Sequence, residues 1–251
     1  MKPRRPEDRI IFPLDVPTEK EAVAYARTLS NSVGLFKIGL ELFIRCGPDV
    51  VRSVSAVGPA RIFLDLKLHD IPNTVSRAVT ALLDLHATFA TLHCGDSMTM
   101  LHSAVAAGQG KVHLLGVTLL TSISEKDLQE AGYASPYDKD AGHLVLKRAA
   151  MAKAAGCAGV ICSGREAKKI KKTFGEHFLA VTPGIRPDWE GHPRDDQVRT
   201  VTPGQAIREG ADYLVVGRPI RDAKDPKAAA RRIAREISEA MDGVRPPDGS
   251  C

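Results

Sequence analysis

The sequence predicts a (β/α)8 barrel, and three features carry the expectation: eight short apolar, β-branched runs, a spacing of about thirty residues between them, and an amphipathic stretch after each. Near-continuous apolar strands alternating with helices call for a parallel sheet covered by helices. Eight such units in 251 residues match the size of a closed barrel. The first strand is expected at Ile10 to Val16, before a helix from Thr18 to Leu29 that Thr18 caps, with Glu21 completing a capping box. Leu35 to Leu40 then leads into Glu41 to Val57, Ile62 to Leu68 into Thr74 to His86, and Phe89 to Cys94 into Met98 to Gly108. Val112 to Leu120 is followed by Ser124, a further N-cap, and by a helix from Gly142 to Gly156. The last three units pair Gly159 to Cys162 with Gly164 to Phe174, Phe178 to Thr182 with Pro203 to Glu209, and Tyr213 to Val216 with Pro226 to Met241. Gly108, Gly156 and Gly210 stand where helices should end. An open doubly wound sheet is the alternative, but it wants a Gly-rich phosphate loop after the first strand, and that place reads Leu14-Asp15-Val16-Pro17. No linker interrupts the pattern, so one domain over residues 1–251 is expected, with flexible ends at about 1–8 and 244–251.

Composition narrows the function classes. With 43% apolar and 26% charged residues, disorder is excluded, and no apolar stretch approaches the ~20 residues of a membrane span. Met1 to Arg9 is polar with no apolar region behind it, so no secretory signal is expected and the cytoplasm is the default compartment. Cys46, Cys94, Cys157, Cys162 and Cys251 lack any metal or disulfide spacing and fit reduced thiols. Thirty-five Lys and Arg against thirty Asp and Glu give +5, which suits anionic small molecules as well as nucleic acid. The dense basic run, Lys168, Lys169, Lys171 and Lys172, falls in a helical stretch without interleaved aromatics and reads as a solvated helix face. Aromatics at 5% argue against base-stacking platforms, so neither nucleic acid nor membrane is expected as a partner.

Barrel chemistry belongs at the C-terminal ends of the strands. That rule selects Asp15, Lys37, Asp65, Lys67, Asp70, His93, Thr121, Arg186 and Arg218. The densest stretch is Asp65-Leu66-Lys67-Leu68-His69-Asp70-Ile71-Pro72-Asn73-Thr74. Strand alternation would aim Asp65 and Lys67 at the barrel mouth and Leu66 and Leu68 at the helices. A structural ion pair, with Asp70 as helix cap ahead of Pro72, is the competing reading of these residues alone. Lys37 on the neighbouring strand tips the balance, because four ionisable groups converging at one mouth are costly without a function. His93 is expected as a pocket-wall or hydrogen-bonded residue, His69 to point elsewhere, and Tyr133, Tyr137 and Trp189 to pack locally.

The run DLKLHDIPNTV, Asp65 to Val75, resembles the signature of the orotidine 5'-phosphate decarboxylase family. The likeness runs in order through Leu14-Asp15, Phe36-Lys37-Ile38-Gly39, Leu120-Thr121-Ser122, Pro183-Gly184-Ile185-Arg186, Asp196-Gln197 and Val216-Gly217-Arg218. It implies cofactor-free and metal-free decarboxylation of orotidylate to UMP, with Lys37, Asp65, Lys67 and Asp70 as a catalytic tetrad. It also implies a homodimer in which Asp70, Ile71 and Thr74 serve the neighbour's site. By the same likeness Asp15 and Lys37 bind the ribose hydroxyls and Thr121 the pyrimidine edge. Pro183, Arg186, Gln197, Gly217 and Arg218 complete the substrate contacts, Gln197 from a lid and Arg218 at the phosphate. The segment Pro187 to Pro193 lengthens the Arg186 to Gln197 spacing relative to that pattern. Related sugar-phosphate lyases, including 3-keto-gulonate 6-phosphate decarboxylase, share a DxKxxD strand but hold magnesium partly through an acidic residue on the second strand. Lys37 stands there instead, a poor ligand for a hard cation. A non-catalytic phosphate-ligand sensor would be expected to have lost a tetrad member or the phosphate arginine, and all are present.

Overall fold

The computed structural model describes residues 2–190 and 200–243. Eight parallel strands close on themselves in sequence order: β1 (Ile10–Pro13), β2 (Leu35–Gly39), β3 (Arg61–Leu68), β4 (Phe89–His93), β5 (His113–Val117), β6 (Gly159–Ile161), β7 (Leu179–Thr182) and β8 (Tyr213–Val215). Closure is direct, with Ile10 opposite Leu214 and Ile11 opposite Val215. The helices are α1 (Glu19–Leu29), α2 (Leu40–Cys46), α3 (Asp49–Ser55), α4 (Pro72–Leu83), α5 (Met98–Ala107), α6 (Glu125–Glu130), α7 (Ala141–Ala154), α8 (Ala167–Phe174), α9 (Pro203–Arg208), α10 (Arg218–Arg221) and α11 (Pro226–Asp242). None of the described helices is long and apolar enough to cross a membrane.

Period-two alternation divides the strand residues into two cores. Ile11, Leu35, Phe63, Phe89, Leu115, Leu179, Val181 and Tyr213 point inward and fill the barrel. Their neighbours Ile10, Phe12, Phe36, Ile38, Leu64 and Leu214 point outward and pack under the helices. The inner core plugs the lower part of the barrel and leaves its upper end to polar side chains.

Several elements differ from the sequence reading for local reasons. The expected helix from Glu41 to Val57 is two, α2 and α3, because Gly47 (φ +66°) and Pro48 turn the chain between them. The full capping box forms at Ser124 and Asp127 in front of α6, whereas Thr18 supplies only the hydroxyl half, accepting from the Glu21 N–H at 3.3 Å. Asp70 does not cap α4. Ile71 occupies the cap position, and Asp70 Oδ1 accepts from the Ile71 N–H at 2.6 Å. Residues 2–9, read as a loose end up to residue 8, lie against the molecule: Pro3 is buried, Glu7–Arg9 is a 3-10 turn, and Lys2 pairs with Glu176 at 3.0 Å. The basic run is not uniformly solvated either. Lys168, Lys169 and Lys172 are exposed, but Lys171 is buried, paired with Asp212 and hydrogen-bonded to the carbonyls of Glu176 and Phe178.

Candidate active site

At the C-terminal end of the barrel lies a cavity of about 630 Å³, within the ~300–1,000 Å³ usual for small-molecule sites. Its floor is apolar, made by Phe63, Val117, Ile161 and Val215 at the top of the inner core. One wall carries charge. Lys37 Nζ lies 3.3 Å from Asp15 Oδ1 and 3.6 Å from Asp65 Oδ2, and Lys67 Nζ lies 2.9 Å from the same Asp65 oxygen. Asp15, Lys37, Asp65 and Lys67 therefore form one alternating array across three adjacent strand ends.

The backbone sets this array up in two places. Gly39 follows Lys37 by two residues on β2, and a Cβ there would come within 3.2 Å of Lys37 Nζ, so the missing side chain leaves room for the ammonium. On β3 the pairing with β4 slips between Leu64 and Leu68, and Lys67 takes a left-handed backbone with φ +51°. For a non-glycine residue that conformation costs about 1–2 kcal/mol, so the surroundings must hold it. Lys67 does share the mouth with Asp65, as alternation predicts, but it arrives through a bulge rather than through regular pleating. Leu66 and Leu68 pack against the outer core as expected.

Asp65 is the electrostatic centre. Burial by itself would raise its carboxyl, but Lys37 and Lys67, with hydrogen bonds from Lys67 and Thr91, outweigh burial and hold it below the usual carboxylate value. The group is ionised at neutral pH and keeps both ammonium groups in place.

The opposite wall comes from later strands. Thr121 and Ser122 follow β5, Pro183, Gly184 and Arg186 follow β7, and Gly217, Arg218 and Arg221 follow β8. Gly184 turns the chain at φ +75°, and a Cβ on Gly217 would stand 3.0 Å from Pro13 Cγ, so glycine permits the close approach of β8 to β1. Arg186 Nη1 donates to the Ile185 carbonyl at 2.8 Å. An isolated bridge between Ile185 and Val201 fastens together the two ends of the segment bearing Gln197; Gln197 itself is outside the described residues. Trp189 packs on the outer core with Arg232 over its ring at 4.5 Å, and Tyr133 and Tyr137 join a small cluster around Leu128 and Leu144, all local packing as expected.

Asp70, Ile71 and Thr74 are exposed and do not line their own chain's cavity. His93, expected as a pocket-wall or hydrogen-bonded residue, is not among the residues that line the cavity; it is half-buried, its ring 5.7 Å from that of His69, which pairs with Asp96 at 2.7 Å. Burial, then His69, Arg148 and Lys67, push the His93 imidazole below its ordinary value, so it is neutral at pH 7. Sequence reasoning missed Arg221, Ser122 and Thr91. Arg221 is three residues beyond Arg218 and so on the same helical face, a spacing the sequence does display. Thr91 is visible only as a lone hydroxyl in the apolar run Phe89 to His93.

Comparison with known proteins agrees with this geometry. The family model described as Orotidine 5'-phosphate decarboxylase / HUMPS family matches residues 8–233. An orotidine 5'-phosphate decarboxylase of Desulfosudis oleivorans is 51% identical over 242 residues, covering 96% of this chain and 97% of the relative. One from Syntrophotalea carbinolica is 43% identical over 93% of this chain and 96% of its own length. The crystal structure of orotidine 5'-phosphate decarboxylase from Lactobacillus acidophilus superposes with a TM-score of 0.79 at 38% identity, covering 91% of this chain and 98% of that one. With a match across most of its length and a charged array at the strand ends where the signature falls, this chain belongs to the orotidine 5'-phosphate decarboxylase / HUMPS family.

Proposed function

We propose that the protein converts orotidine 5'-phosphate to UMP and carbon dioxide, without metal or organic cofactor. One observation carries the reading: Lys67 Nζ is held at 2.9 Å from an ionised, largely buried Asp65 at the rim of a nucleotide-sized cavity. Breaking the bond between C6 and the carboxylate leaves an electron pair on C6 with no cofactor to take it up. A cation already fixed beside that carbon stabilises the charge as it develops. Lys67 is that cation, and it then delivers a proton from Nζ to C6, so that UMP leaves and the amine recovers its proton from solvent.

The remaining roles are those that the family resemblance implies. Lys37 helps to neutralise Asp65 through the same Oδ2 that Lys67 contacts and, with Asp15, binds the ribose hydroxyls. Arg218 grips the phosphate, Arg186 and Pro183 border it, and Gly217 gives the backbone close access. By that resemblance Thr121 reads the pyrimidine edge and Gln197, outside the described residues, serves as the lid residue. Remote phosphate contacts then contribute to holding C6 against Lys67.

The working unit is a homodimer in the cytoplasm, with Asp70, Ile71 and Thr74 completing the neighbour's site. Support comes from the surface. Ile71 is 65% exposed and Ile44 77% exposed, large apolar side chains that a second copy would cover. A smaller recess of about 120 Å³ beside Lys37, Asp65 and Lys67, bordered by Leu40 and Leu42, offers room for the partner's carboxylate. Cys46, Cys94, Cys157 and Cys162 are free thiols, as a reducing compartment would keep them.

Ultraviolet absorbance of orotidylate tests the activity. Purified protein is expected to convert it to UMP in the presence of EDTA; no turnover by folded protein would defeat the reading, and loss of turnover on chelation would favour metal-dependent sugar-phosphate chemistry. Site sharing has its own test. Mixing Asp70→Asn subunits with Lys67→Ala subunits should restore activity through the one intact site of each heterodimer, and confirmed heterodimers without activity would refute it.

A further inference from the structure

Three residues of β3 (Asp65, Leu66 and Lys67) lie between the paired positions Leu64 with Ala90 and Leu68 with Leu92, whereas β4 offers only Thr91 over the same interval. Regular pairing is lost across this bulge. Thr91 is fully buried, with a relative exposure of 0%. Its hydroxyl accepts from the Lys67 backbone N–H at 2.9 Å and donates to Asp65 Oδ1 at 2.9 Å. One oxygen thus satisfies a backbone donor that the bulge removes from regular pairing, and fixes the carboxylate whose other oxygen holds the Lys67 ammonium.

We infer that Thr91 is a positioning residue for the reaction, its hydroxyl acting as a two-sided pin that sets both the left-handed backbone of Lys67 and the orientation of Asp65. This rests on the decarboxylase reading for its kinetic consequence, though not for its structural one. Both bonds are needed together. The bond to the Lys67 N–H stabilises the φ of +51° at which the side chain leaves the bulge, and the bond to Oδ1 leaves Oδ2 to face Lys37 and Lys67. Serine preserves the donor and acceptor, whereas valine preserves the shape and removes both.

The test compares Thr91→Val and Thr91→Ser with wild type in steady-state turnover of orotidylate. Thr91→Val is expected to lower kcat roughly ten- to a hundred-fold, as misplacing a reacting group does, with KM changed by less than about threefold. Thr91→Ser should recover most of that loss. If Thr91→Val does not fold, Thr91→Ala takes its place against the same serine control. Unchanged kcat without the hydroxyl, or serine as impaired as valine, would overturn the inference. A crystal structure of the hydroxyl-free variant without ligand decides the matter even if wild type shows no turnover of orotidylate. Lys67 leaving the left-handed region or parting from Asp65 supports the pin, and both unchanged refutes it.

Discussion

Two lysine–aspartate clusters in this molecule use the same chemistry to opposite ends. At the mouth, Lys37 and Lys67 share Asp65 in front of an open cavity. In the wall, Lys171 pairs with Asp212 Oδ2, the side chains 6% and 4% exposed, with Lys2 3.9 Å from the other carboxylate oxygen and the carbonyls of Glu176 and Phe178 and the N–H of Ala180 completing the hydrogen bonds. The wall pair is closed: nothing is left over for a ligand, and its charges are there to be satisfied. The mouth cluster is open, with Lys67 29% exposed and Lys37 and Lys67 sharing the one oxygen Oδ2 of Asp65. An ammonium that its surroundings hold in place but do not enclose can turn to a developing negative charge.

The difference can be broken from either side. The largest effect is expected from Lys67→Ala, which should lower kcat by more than about a thousand-fold, beyond the loss of a single stabilising donor, while the melting temperature shifts little. A calorimetric scan beside the orotidylate assay checks both halves. Lys171→Met should do the reverse: removing one partner of a buried pair costs about 3–5 kcal/mol, read as a fall in the urea midpoint, with turnover per folded molecule kept at low temperature. Arg218→Ala should raise KM roughly ten- to a hundred-fold, the worth of about 1.5–3 kcal/mol in charged hydrogen bonds, and leave the wall pair's contribution to stability untouched.

The smallest effect concerns pH. Asp65 titrates below its ordinary 3.8 in the folded protein, so its ionisation stabilises the fold fully above that value and the contribution is lost as pH falls through the lowered one. Asp65→Asn should therefore be less stable than wild type at pH 7, with the gap in melting temperature narrowing below pH 3.8. A gap that is constant across the acid range would show that the carboxylate gains nothing from its two lysines.

Much of this comparison was readable in the chain itself, and the failures have physical causes. The barrel is legible because parallel strands buried on both faces must be nearly all apolar, and each of the eight runs seeds an observed strand. Asp15, Lys37, Asp65 and Lys67 meet because strand ends in a closed barrel have nowhere else to converge. The break at Gly47-Pro48 was written in the sequence as a helix-stopping pair, and the amphipathic pattern on either side obscured it. Lys171 was legible too: it shares the stripe of Ala167, Ile170 and Phe174 at helical spacing, and reading four lysines as one basic run hid its inward direction. The bulge at Asp65 to Lys67 was not legible, since nothing in an alternating strand announces where pairing slips, and with it went the role of Thr91.

The central claim is that the Lys67 ammonium faces the carbon that loses its carboxylate, and a crystal structure with bound UMP tests it most directly. The account predicts Lys67 Nζ in contact with C6 of the pyrimidine, the phosphate on Arg218, and Asp65 still paired to the lysine. UMP seated in the cavity with C6 turned away from Lys67 would contradict it.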